Sequence, residues 1–148
     1  MLLRFLHYLG FALWGGGGWT TMALLMRSRK DSPAAMTTLY RLLPAAYAVM
    51  ATGAAITLLS GIALSIWLSR LGLGVRLQQP GIMVMQGAGI IAALMILGIG
   101  APASRKLARL AAMNPLRPEF ERLRKRQAIG ASVTGALVLI ALVGATLA

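Results

Sequence analysis

The chain has no cysteine, which excludes disulfides, thiolate metal sites and cysteine nucleophiles. Acidic residues are almost as scarce. Asp31, Glu119 and Glu121 are the only three, and His7 is the only histidine. All three carboxylates fall in polar stretches between apolar runs. A Ser-His-Asp set, a carboxylate pair and an intramembrane proton relay therefore lack their parts, and no catalytic residues are expected. Charge of either sign is sparse, at 12% of 148 residues, against 58% hydrophobic residues. A soluble domain of this length could not hide so much apolar surface from water. Composition predicts an integral membrane protein.

Four apolar runs can be read, over about 5–26, 45–67, 81–103 and 128–148. Each is about 20 residues long, which at about 1.5 Å per residue crosses a hydrocarbon core of about 30 Å. The expected fold is all-α, an integral membrane four-helix bundle forming a single transmembrane domain over residues 1–148. A cleaved signal peptide is rejected for the first run: it is long, no small-x-small site follows it, and an Arg-Lys cluster ends it as in a stop-transfer pattern.

The net charge of +12 is unevenly spread. Arg27, Arg29, Lys30 and Arg41 lie around the first connection, and Arg105, Lys106, Arg109, Arg117, Arg122, Arg124, Lys125 and Arg126 around the third. Only Arg4, Arg70 and Arg76 lie on the other side. The positive-inside rule then puts the basic connections in the cytoplasm and both termini outside. Arg27, Arg29, Lys30, Arg105, Lys106, Arg124, Lys125 and Arg126 are expected to meet anionic lipid headgroups rather than nucleic acid.

Small residues mark contact faces. Gly53, Thr57, Gly61 and Ser65 recur every four residues and predict a groove that admits a neighbouring backbone. Gly15, Gly16, Gly17 and Gly18 form a bare helix face, and no strand or Lys-Ser/Thr makes them a phosphate loop. Asp31-Ser32-Pro33 is a helix start signal. Pro44 either kinks or restarts the second helix, Pro102 marks the end of the third, and Pro118-Glu119 opens the fourth.

His7 is the residue with chemistry to offer. His7, Phe11, Trp14 and Gly18 share one helix face, expected to look inward. Met83, Met85 and Gln86 enter the membrane at a similar depth. Imidazole and thioether together suit copper or haem iron, so His7, Met83 and Met85 form a candidate metal set, with His7 and Trp14 beside a haem or other tetrapyrrole. Alternatively the methionines fill the core and His7 bonds across helices.

The pattern Leu6-His7 … Leu13-Trp14-Gly15-Gly16 resembles that of small four-helix bacterial membrane proteins. These are the copper-resistance CopD domain, the HemJ-type protoporphyrinogen oxidases and uncharacterised relatives. The resemblance implies a multi-pass protein of the bacterial inner membrane. Its CopD side implies copper handling near the outer face, and its HemJ side implies haem held by a first-helix histidine with a later lysine. His7 matches the histidine, whereas Lys30, Lys106 and Lys125 all fall in basic connections. The function expected is a non-catalytic accessory or assembly subunit, packing against other membrane subunits or itself. Haem or copper binding through His7 is the alternative.

Overall fold

A computed structural model describes residues 1–27, 33–113 and 117–147. The chain is helical: α1 (Leu2–Arg27), α2 (Pro33–Arg70), α3 (Pro80–Met95), α4 (Ala101–Met113) and α5 (Pro118–Thr146). A π-turn, Ile96–Gly100, joins α3 to α4 without a break, so four rods result. Three of them, Ala34–Arg70, Pro80–Met113 and Pro118–Thr146, are long and apolar enough to cross a membrane. At most 28% of the most apolar window of each is buried, so their outer faces are made for lipid. This is a membrane protein by length and composition.

Of the four expected spans, these three have both the length and the apolarity, and α1 has the length alone. Its 26 residues suffice in length, but it is not among the three. Five glycines, two threonines, two tryptophans and His7 dilute its apolar residues.

The helix limits also extend the predicted ones. Pro44 lies inside a continuous α2, whose first turns carry buried Tyr40 and Leu43. Asp31 and Ser32 lie outside the described residues, and α2 begins at Pro33 as that signal predicted. Pro102 does not end the third rod. Proline has no N–H to offer an α-helical ladder, and the chain widens by one residue just before it: Ala101 N–H donates to the Ile96 carbonyl, five residues back. A π-turn of this kind lets the rod continue through Pro102. At the other end of the bundle, α2 stops in a turn with Gly72 at φ +75°, a conformation open to glycine. A 3₁₀ turn, Gly74–Gln78, then leads to Pro80 at the start of α3.

The rods pack as antiparallel neighbours, and small residues make both long seams. In the α1–α2 seam, a Cβ on Gly53 would sit 2.7 Å from the Gly10 carbonyl oxygen and 2.7 Å from the Trp14 nitrogen. In the α3–α5 seam, a Cβ on Gly144 would sit 2.7 Å from the Gly81 carbonyl oxygen. At both places backbone meets backbone, which only glycine permits. The two pairs join where α2 packs on α4, around Tyr40, Leu43, Leu107, Leu110 and Phe120. Among the described residues, Arg41 and the basic residues of the third connection collect at this end, and Arg4, Arg70 and Arg76 at the other. The first and last described turns lie at the same end of the bundle, away from the basic end.

Candidate functional site

Two places in the bundle have the makings of a site. The first is His7. Its ring lies on Gly61 of α2, where an added Cβ would come within 3.1 Å of His7 Cε1. Nδ1–H donates to the Thr57 carbonyl oxygen at 2.9 Å, and Ser60 Oγ lies 3.2 Å from the same nitrogen. Thr57 and Ser60 in turn donate their hydroxyls to carbonyls one helical turn back, Gly53 and Ile56. A carbonyl only accepts, so the proton on Nδ1 is set by its partner. Nε2 has no hydrogen-bond partner among the described residues and is not buried. This is the arrangement in which an imidazole is oriented through one nitrogen and free at the other.

The methionine partners do not assemble around it. α1 and α3 do not pack on one another among the described residues. Met83 is exposed, the Met85 backbone lies against Gly144 of α5, and Gln86 donates to Ser65 of α2 at 3.2 Å. His7, Met83 and Met85 share a depth but not a neighbourhood.

Trp14 points inward as expected. It is buried among core residues, with its ring edge-on to Phe11 at 6.4 Å. The glycine run divides. Gly17 and Gly18 face Met50, whereas an added Cβ would meet only the Phe11 ring at 4.0 Å from Gly15 and nothing from Gly16. The Gly53 stripe serves α1 with its first three members and α3 with Ser65.

The second place was not foreseen. α1 and α5 barely touch, and between them a cavity of about 640 Å³ runs into the bundle. Its back wall is the π-turn with Tyr47, and its side walls are Trp14 on α1 and Gly135 on α5. Gly100 lies against the Tyr47 ring, and Gln127 donates across to the Gly100 carbonyl at 3.3 Å. π-turns recur at functional sites because they displace backbone from the helical ladder. Pro102 inside an otherwise continuous apolar run, with Gly98 and Gly100 just before it, was the available signal.

The cavity's mouth faces the basic end. Arg124 is held by Glu121 through two 2.8 Å hydrogen bonds. Lys125 reaches the same carboxylate at 3.9 Å. In the exposed first turn of α5, ahead of the apolar run, Lys106 Nζ donates to Glu119 at 2.9 Å. Arg126 is exposed and forms no ion pair or hydrogen bond among the described residues. Arg105 is exposed as well. Arg29 and Lys30, and the side chain of Arg27, lie outside what is described.

Among the described residues no group of three or more His, Cys, Asp or Glu side chains comes together. Comparison of the chain with known protein families, with curated proteins and with solved structures finds no match.

Proposed function

We propose that the chain is a non-catalytic accessory or assembly subunit of a larger membrane complex, with all four rods in the bilayer and the basic end in the cytoplasm. The observation that carries this reading is a set of bare glycines on the outside of the bundle. An added Cβ would meet nothing within 4 Å at Gly16, Gly87, Gly89 or Gly98. Against lipid alone such gaps gain nothing, whereas against another helix they admit a close backbone approach. α1 joins the membrane in this reading because it follows α2 from His7–Ser60 to Thr21–Met50.

The test is recovery of a stoichiometric complex after mild detergent extraction of tagged protein. Gly87→Leu is expected to leave the chain folded and to lower recovery of its partner at least severalfold, since the added side chain meets only what docks from outside. Equal recovery from parent and variant would count against this face as the docking surface, and no complex at all would sink the reading.

Orientation has its own test, made simple by the lack of cysteine. A single cysteine at Ser32 or Arg117 is expected to resist an impermeant maleimide in intact cells and to react after lysis. Labelling from outside would invert the topology.

A second reading, in which His7 holds a haem, another tetrapyrrole or copper, is favoured by one observation. Nδ1 is committed to a backbone carbonyl while Nε2 has no hydrogen-bond partner among the described residues. The residues at hand fit a single axial ligand, so a further ligand would have to come from outside the described bundle. Protein purified gently from its native membrane is then expected to show a Soret band or bound copper that His7→Ala abolishes. A colourless, metal-free protein would dismiss it.

A further inference from the structure

We propose that the cavity between α1 and α5 is a binding site for one anionic phospholipid, with a hydrocarbon chain inside and the headgroup phosphate at Arg126. Three observations lead to this occupant. The first is shape. The cavity follows α5 from Leu123 to Leu139, about 24 Å of helix, with walls that are mostly apolar. A long apolar trough of this kind suits a hydrocarbon chain.

The second is depth. The mouth lies among the charged turns of α5, at Leu123, Arg124 and Arg126, and beyond it the cavity follows the apolar part of the helix from Gln127 to Leu139, about 18 Å and so close to one leaflet of a hydrocarbon core about 30 Å thick. Its opening along the α1–α5 seam gives a lipid sideways access from the membrane. Met22, Met50 and Met95 in its walls are flexible enough to fit a chain of no fixed shape.

The third is charge. Of the two arginines at the mouth, Arg124 is matched by Glu121, whereas Arg126 has no carboxylate among the described residues. An unmatched guanidinium at headgroup level selects phosphate, and an anionic lipid over a zwitterionic one by about fivefold, the worth of about 1 kcal/mol for one cation near the surface.

This inference rests on the bilayer placement proposed above and not on the partner complex. The test uses the full chain in vesicles of zwitterionic phosphatidylcholine, with phosphatidylglycerol brominated on its acyl chain as a fluorescence quencher. Trp14 is 3% exposed and lines the cavity, whereas Trp67 faces outward at 46%. In a Trp19→Phe/Trp67→Phe background Trp14 alone reports the cavity, and in a Trp14→Phe/Trp19→Phe background Trp67 alone reports surrounding lipid.

Quenching of Trp14 is expected to saturate at a low fraction of brominated phosphatidylglycerol and to need about fivefold more brominated phosphatidylcholine. Arg126→Gln is expected to remove that preference. Gly135→Leu, at a position where an added Cβ meets nothing within 4 Å, is expected to fill the cavity and abolish the saturable quenching of Trp14 while leaving that of Trp67. Trp14 quenching unchanged by Gly135→Leu, or equal for both lipids in the parent, overturns the proposal. So does a protein that crosslinks to the cavity wall. Loss of Trp67 quenching in the parent overturns the bilayer placement itself, whatever the partner.

Discussion

Gly53→Ala is expected to destabilise the isolated protein by about 3 kcal/mol, at the upper end of what overpacking costs, and Gly16→Ala to stabilise it by up to about 1 kcal/mol. The two substitutions add the same methyl group to helical glycines. They differ only in what the methyl meets. At Gly53 it comes within 2.7 Å of the Gly10 carbonyl oxygen and of the Trp14 backbone nitrogen, and neither can turn aside as a side chain could. α1 must lift from α2, which strips Thr57 and His7 of their shared contacts along the same seam. At Gly16 the methyl meets nothing within 4 Å, so what remains is the lower cost of ordering alanine in a helix. Reversible unfolding by SDS in mixed micelles reads both. Equal effects of the two substitutions would show that the α1–α2 seam does not depend on close backbone approach.

The sequence pointed to this seam because its signal is local. Gly53, Thr57, Gly61 and Ser65 repeat at the helical period, and so do His7, Phe11, Trp14 and Gly18, and both sets face their neighbours. The gathering of basic residues at one end was equally legible, since it needs only the order of the runs. Legibility failed where a feature depends on which rods are neighbours. His7 and the methionines at 83 and 85 agree in depth, but depth is one coordinate. The others are set by α3 choosing α5 through Gly81 and Gly144, a pairing between residues 63 apart in the chain. Gly17 and Gly16 are adjacent and alike in sequence, yet one lies against Met50 and the other is bare.

The cavity was hidden for a related reason. It is made by what is missing between α1 and α5, and an absent contact leaves no pattern in either helix. Its back wall was hidden by a rule that usually holds. Proline ends helices often enough that Pro102 read as a terminus, whereas here the chain takes up one extra residue and goes on. That π-turn brings Gly100 against Tyr47 and under Gln127, and so it fixes the shape of the space behind the α1–α5 seam.

Phe120→Ala carries the second large effect, an expected loss of about 3 to 5 kcal/mol. In sequence Phe120 is a lone aromatic in a charged stretch, Pro118-Glu119-Phe120-Glu121-Arg122, and nothing there marks it as core. In the fold it is 1% exposed, with its ring edge-on to Tyr40 at 5.0 Å between centroids. Its removal opens a void among Tyr40, Leu107 and Leu110, where the two helix pairs are joined. Phe5→Ala, at a side chain 61% exposed, is expected to change stability by less than about 0.5 kcal/mol. A double-mutant cycle with Tyr40→Ala is expected to yield a coupling of about 0.5 to 1.5 kcal/mol from the edge-on pair. Hydrogen exchange adds what stability alone does not report. With Phe120 gone, amides in the last turns of α4 and the first turns of α5 should lose protection together, while those of the α1–α2 seam keep theirs. Because Arg124 and Arg126 ride on those first turns of α5, the mouth of the cavity loses its fixed position in the same step. Uniform loss of protection across all four rods would show instead that the basic end is not a separate point of attachment, and that the two pairs are held together along their whole length.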